Sequence, residues 1–289
     1  MIRLERVVKT FRRARVLDGV SLDIGLGERV ALIGSNGAGK TTLIRCLLGE
    51  YVHDGRVTID GREPRSERTA VLARVGFVPQ LPPPLKMPVG QLIDFAAALC
   101  GTPAARVHDI AVRLGLDMAA VASRPFNRLS GGMKQKLLIA IALGRDARLL
   151  VMDEPAANLD PAARRIFFEL LAERAASTTM LISSHRINEV SSLVNRVVEL
   201  DMGRVVLDER VADEAALGGM CAGRVTCRQA EPALAKALAQ WNFRPLDDAQ
   251  TEWVGEVAGP DRLRFLGTVS RYVSVVSHVS LQEAEEVAR

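Results

Sequence analysis

Residues 29–42 read Arg29-Val30-Ala31-Leu32-Ile33-Gly34-Ser35-Asn36-Gly37-Ala38-Gly39-Lys40-Thr41-Thr42. An apolar run is followed by the spacing G-x-x-x-x-G-K-[ST] of a phosphate-binding P-loop. Gly34, Gly37 and Gly39 let the backbone curl into a nest of N–H groups that approaches a triphosphate closely. Lys40 is expected to set its ammonium against the β- and γ-phosphates, and the Thr41 hydroxyl to ligate Mg²⁺. Leu43-Ile44-Arg45-Cys46-Leu47-Leu48 predicts a helix whose positive N-terminal end faces the anion. Strand, loop and helix in this order point to a nucleoside triphosphate as ligand.

The totals bound what surrounds this loop. At 289 residues the chain suits one large domain or two. Aromatics are sparse, 4% of the chain, so aliphatic residues must fill the core. No apolar run approaches the ~18–20 residues that span a bilayer, and Met1-Ile2-Arg3-Leu4-Glu5 lacks the plan of a signal peptide. A cytoplasmic protein is expected, with any membrane role supplied by a partner. The charge of +4 is mildly basic. The Arg12-Arg13-Ala14-Arg15 cluster has two readings, a solvated face or a surface for nucleic acid or anionic lipid. Cys46, Cys100, Cys221 and Cys227 form no C-x-x-C pair. Small buried thiols fit them better than a soft-metal site at Cys221 and Cys227.

Before the loop, Ile2–Val8 and Val20–Ile24 alternate as strands. Phe11 lies in the basic turn between them and carries two readings, a core residue or a face on which adenine stacks. After the loop, Gly55–Gly61 and Val75–Val78 read as short strands, the second running into Pro79-Gln80. A glutamine at a strand end is a common place for a ligand-sensing side chain. Leu81-Pro82-Pro83-Pro84-Leu85-Lys86-Met87-Pro88 predicts a stiff extended surface segment, a linker or a rigid contact surface. Residues 89–122 read as helices inserted into an α/β core, with His108 on their surface.

Leu129-Ser130-Gly131-Gly132-Met133-Lys134-Gln135 opens a helix through Leu143, either an ordinary N-cap or an anion-binding terminus. Arg148-Leu149-Leu150-Val151-Met152-Asp153-Glu154-Pro155 is a buried-strand run ending in two acids, costly unless a cation or water uses them. Asp153 is read as holding the Mg²⁺ shell and Glu154 as the base that polarises water. Asn158-Leu159-Asp160-Pro161 starts a helix to about Arg174. Met180–His185 is another buried strand, whose final histidine is a plausible γ-phosphate contact.

In this order the segments resemble the ATP-binding-cassette (ABC) transporter family. They supply the aromatic Phe11, Walker A, a Q-loop Gln80, the LSGG signature, Walker B, a D-loop (Asn158 to Asp160) and a switch histidine, His185. The resemblance covers about residues 1–210. It implies an α/β P-loop ATPase core with an antiparallel β subdomain and a helical subdomain (about 89–145), working as an ATPase with ATP and Mg. The nucleotide would be held by Phe11, by Gly34, Ser35, Asn36, Gly37, Ala38, Gly39, Lys40, Thr41 and Thr42, and across a homodimer by Ser130, Gly131, Gly132 and Asp160. Glu154, His185 and Gln80 would be catalytic. Thr41, Gln80 and Asp153 would hold Mg, Asp153 through water.

Partners implied are a separate transmembrane permease and a second copy of the chain, with no nucleic acid expected. That arrangement would keep the protein peripheral on the inner membrane face. Exporter ATPases of the ABC-2 type, for antibiotics or for copper processing linked to nitrous oxide reductase, share this plan. The rival is a soluble cassette acting on ribosomes or DNA, against which stand the single cassette and the lack of sustained heptads in 80–129. Three positions depart from the family: Phe11 for Tyr, Asn158 for Gly, and the segment Lys86–Leu92. The division expected is 1–212 for the ATPase and 213–289 for a small α+β domain, dimerising or regulatory. In the latter, strands are expected at Gly223–Cys227, Glu252–Val257 and Val273–Val276, helices at Ala233–Gln240 and Asp261–Gly267, and a helical tail from Leu281.

Overall fold

A computed structural model describes residues 1–184, 190–191, 193–210, 220–258 and 261–283. Its centre is the strand that precedes the P-loop. β3 (Arg29–Ile33) is buried over Val30–Ile33 and lies between two parallel neighbours, β7 (Thr179–Ser183) and β8 (Arg196–Asp201). Beyond β7 come β6 (Leu149–Asp153) and then β5 (Val75–Val78), both parallel. β9 (Arg204–Arg210) closes the other edge antiparallel to β8. The sheet is thus six-stranded, in the order β5-β6-β7-β3-β8-β9. Strands covered on both faces read as continuous apolar runs, as β6 and β7 do, whereas β9 alternates exposed and half-buried residues. Parallel β3, β6 and β7 end at one sheet edge, which gathers the segments that follow them.

The pleat sorts this sheet into two cores. Val30 and Leu32 face α1 (Lys40–Leu47) and a three-stranded antiparallel sheet of order β2-β1-β4. That sheet is built from β1 (Ile2–Phe11), β2 (Ala14–Ile24) and β4 (Asp54–Ile59). Alternation along β1 is imperfect because a bulge intervenes between Leu4 and Val7, with Arg6 at φ 47°. The extra residue moves the buried set to Ile2, Leu4 and Val7. Ala31 and Ile33 face the opposite core. Helices α3 (Val89–Cys100), α4 (Ala104–Arg113), α6 (Gly131–Leu143) and α7 (Pro161–Ala172) pack there. Two short helices, α2 (Arg68–Leu72) and α5 (Met118–Val121), complete this part.

A charge cluster centred on the buried Arg196 of β8 ties together β9, β2 and the turn before β3. The Arg196 guanidinium, 7% exposed, donates to both carboxylate oxygens of Asp208 (2.7 and 2.8 Å), to Glu28 (2.6 Å) and to the Asp23 carbonyl (2.6 Å). Burial would raise the Glu28 carboxyl, but the Gly25 N–H, Arg196 and Arg210 together hold it below its ordinary value. Replacing Arg196 by leucine leaves Asp208 without this cation and Glu28 with Arg210 still beside it. The expected loss is about 3–5 kcal/mol of stability, read as a lower urea midpoint by circular dichroism.

Residues 220–283 form a second sheet of order β11-β12-β10-β13. Its strands are β10 (Met220–Cys227), β11 (Arg244–Pro245), β12 (Glu252–Ala258) and β13 (Val276–Glu283), backed by α8 (Pro232–Ala239) and α9 (Arg262–Val269). Phe243 stacks on Phe265 at 4.7 Å, and Trp253 is buried beside them. Gly223 and Gly255 pair directly. A Cβ on either would lie 2.5 or 2.4 Å from the Phe243 ring, so only glycine admits that ring.

Two expectations are corrected here. Val273–Val275 form a turn, closed by the Val275 N–H on the Tyr272 carbonyl, and the strand begins at Val276. Leu281–Glu283 are strand, not the start of a helical tail. The Glu-rich composition favours helix locally, but Leu281 is buried opposite Gly223, and pairing with β10 decides the outcome. Cys46, Cys221 and Cys227 are buried thiols, and burial pushes Cys46 up to about 11.

Candidate functional site

The P-loop leaves β3 at Gly34, whose φ of 142° and tight seat allow no side chain. A Cβ there would lie 2.2 Å from the Leu200 carbonyl oxygen. Ser35, Asn36 and Gly37 are exposed, Ala38 is buried, and Thr41 and Thr42 are half-buried. The loop is braced by the Ala38 N–H on Ser35 O (3.1 Å) and by the Gly203 N–H on Ala38 O (3.0 Å). α1 begins after Gly39 with no acidic residue in its first turn, which keeps its N-terminal field positive. Lys40 is 7% exposed and donates to the carbonyls of Gly34 (2.6 Å) and Ser35 (3.1 Å). Burial depresses its pKa, while the nearby Glu154 and then Asp153 carboxylates work against that depression. A buried cation, an exposed glycine-containing loop at a helix N-terminus and two nearby acids suit a magnesium-bound triphosphate.

The acids come from the next parallel strand end. Asp153 is 2% exposed and accepts the Ser183 hydroxyl at 2.6 Å. The same hydroxyl oxygen accepts the Glu154 N–H at 2.9 Å, so Ser183 locks the β6 and β7 ends together. Glu154 adopts φ 49°, a left-handed conformation uncommon for a non-glycine residue. It stands on the rim of a cavity of about 220 Å³ lined also by Pro155, Arg164, Ser183 and Ser184. Gln80 is exposed just beyond β5, and the parallel register Val78↔Met152 sets it at the edge that carries Asp153. His185 lies outside the described residues.

Other candidates stand elsewhere. Ser130 caps α6, its hydroxyl oxygen accepting the Met133 N–H at 3.3 Å, so the N-cap reading is realised. Ser130 and Gly131 are nevertheless exposed, and Gly132 is half-buried. Asp160 caps α7 through the Ala163 N–H (2.9 Å) and pairs with Lys136 Nζ at 2.7 Å. The Lys136 hydrogen bond, followed by the Ala163 N–H, holds the Asp160 carboxyl below its ordinary value. None of these partners belongs to the P-loop. Phe11 ends β1 at 39% exposure, which sets aside its reading as core. Its ring meets Tyr51 edge-on at 5.2 Å, with Lys9 Nζ 4.6 Å from the ring centre.

The bracing contacts of two residues escaped sequence reasoning. Ser183 showed only as a polar residue ending an apolar strand. Gln135, 0% exposed, donates from Nε2 to the Pro155 carbonyl at 3.0 Å. It fastens the helix that follows Ser130 to the peptide that follows Glu154. A glutamine among the apolar residues of α6 was the available signal.

Fold and site together define a P-loop nucleotide-binding ATPase. Residues 17–157 match the family described as ABC transporter. Nod factor export ATP-binding protein I of Paraburkholderia xenovorans is 35% identical over 218 residues, covering 72% of this chain and 70% of that protein. Phosphonates import ATP-binding protein PhnC 1 of Natronomonas pharaonis is 33% identical over 226 residues, covering 73% and 94%. A solved ATP-binding subunit of an ABC transporter superposes with a TM-score of 0.66 at 26% identity, over 73% of this chain and 90% of that one. The chain belongs to the ABC transporter family, as an ATP-binding cassette of its ATPases. Relatives include both export and import proteins.

Proposed function

We propose that this cassette binds MgATP, pairs head to tail with a second copy and drives a separate membrane permease, as an exporter. The observation that carries the reading is the grouping of Lys40, Asp153 and Glu154 at one sheet edge, with Ser130 and Gly131 exposed on a different segment. The exposed Ser35–Gly37 loop and the exposed signature tip are each half of a site, which a second copy would complete. In that arrangement Ser130, Gly131, Gly132 and Asp160 come to the ATP from the partner, and Phe11 offers its open face to the adenine ring. The division proposed is 1–212 for the ATPase and 213–289 for a regulatory or dimerising unit.

In the proposed mechanism Lys40 leaves the Gly34 and Ser35 carbonyls for the β- and γ-phosphates. Magnesium, held by Thr41, Gln80 and Asp153, would neutralise charge on the transferring phosphoryl group. Glu154 takes a proton from water as its oxygen attacks the γ-phosphorus, and the bond to the β-phosphate oxygen breaks to leave ADP and phosphate. Ser183 keeps Asp153 and the Glu154 backbone in register throughout. Gln80 and His185 are assigned to orienting that water.

The permease is supported by exposed apolar residues in the chain that follows Gln80, namely Leu81 (74% exposed), Leu85, Met87 and Phe95. The Phe126 N–H donates to Met87 O and the Asn127 N–H to Leu85 O, both at 2.9 Å. A partner pressing on these residues would therefore move both Gln80 and the peptide that leads to Ser130. Among the described residues no helix is long and apolar enough to cross a membrane, so the proposed place on the inner membrane face depends on the permease. The test is a pull-down of the Glu154→Gln protein from detergent-solubilised native membranes. A polytopic membrane protein at near-equal amount is expected. Ribosomal or DNA-repair proteins without one would replace this reading by the soluble rival.

A further inference from the structure

One acidic side chain is trapped where the C-terminal unit meets the cassette. Glu199, in β8, is 5% exposed. Its neighbours Val198 and Leu200 point into the core beneath the P-loop, so the pleat turns Glu199 to the opposite face, where it sits across from Leu207. Leu207 packs against the C-terminal core as well as against the cassette. A cleft of about 30 Å³ lies here, lined by Glu199 and Leu207 on one side and Leu266, Val269, Val276 and His278 on the other. It has room for about one water. Glu199 Oε1 has no hydrogen-bond partner.

The charged groups around it among the described residues offer no compensation. On β8, Asp201 adds a like charge, and Arg196 is occupied by Asp208 and Glu28. On β9, Glu209 is a further acid two positions from Leu207. On β13, His278 lines the cleft with an exposed ring. From α9 and the turn after it come Leu266, Val269 and Ser270. Burial first, then Asp201, pushes the carboxyl up to about 7.

We propose that Glu199 makes the seam between cassette and C-terminal unit a proton-dependent latch, closed while the carboxyl is protonated and loosened when it ionises. Burying a carboxylate without a partner in this largely apolar cleft is costly. The cleft holds about one water, so hydrating a carboxylate fully requires β13 and α9 to part from Leu207. For an acid whose pKa is higher in the closed state than in water, closure is favoured most below the ordinary value of 4.5. That advantage is lost progressively as pH rises, and is gone above about 7. The strand carries the change toward the nucleotide, since the next residue, Leu200, places its carbonyl against Gly34.

The experiment is hydrogen–deuterium exchange on the whole chain at pH 5.5 and 8.0, corrected for intrinsic exchange rates. Protection of 204–210 and 276–283 is expected to fall roughly tenfold or more between the two pH values, while β3 and β6 stay protected. Glu199→Gln should remove the pH dependence and leave the seam closed at both values, and His278→Asn should keep it. A wild-type seam that follows the core at both pH values would overturn the latch. So would an undiminished response in Glu199→Gln, or one that disappears only in His278→Asn.

Discussion

Glu154→Gln is expected to lower steady-state ATP hydrolysis by about 10²–10⁴-fold, the ordinary worth of a positioned general base. The substitution keeps size and hydrogen-bonding shape but removes the group that accepts a proton from water. The backbone N–H of residue 154 would still reach Ser183, so the link between the β6 and β7 ends survives. ATP binding should therefore persist, and a dimer closed on unhydrolysed nucleotide should accumulate on size-exclusion chromatography with MgATP. Turnover at the wild-type rate would remove Glu154 from the role of base, whatever happened to dimerisation.

Lys40→Ala should act one step earlier, on binding. The ammonium is already desolvated in the folded chain, held by the Gly34 and Ser35 carbonyls at 2.6 and 3.1 Å. Exchanging those neutral acceptors for phosphate oxygens gains charge-assisted hydrogen bonds worth about 1.5–3 kcal/mol. Their loss weakens nucleotide binding roughly 10- to 150-fold, measurable by titration with a fluorescent ATP analogue. Equal affinity in the variant would mean that the loop does not cradle the phosphates. The two substitutions thus separate binding from chemistry.

Much of the candidate site was legible because it is local in the chain. The P-loop is one contiguous stretch whose glycine spacing is a backbone requirement, and Asp153-Glu154 ends a run too apolar to be a surface strand. The signature at 129–135 reads the same way. What could not be read were contacts between segments far apart in sequence. Ser183 reaches Asp153 across two parallel strands, and Gln135 reaches Pro155 from a helix. Neither has a spacing rule. Phe11 was ambiguous for a related reason, since its exposure depends on where Tyr51 and Lys9 come to rest.

The C-terminal residues show the limit more sharply. Helix propensity in Leu281-Gln282-Glu283 is a weak local bias, and it yields to a ladder with β10 that buries Leu281. Nothing in the sequence around Glu199 marks it, and the packing of Leu207, Leu266 and Val269 above it makes it a buried acid. From sequence alone came the class of the protein and the candidate residues of its nucleotide site, because short-range backbone geometry and residue chemistry mark them. Tertiary structure alone decided which side chains brace that site and where a charge is trapped, because burial is a property of what packs over a residue, and the covering groups are remote in the chain.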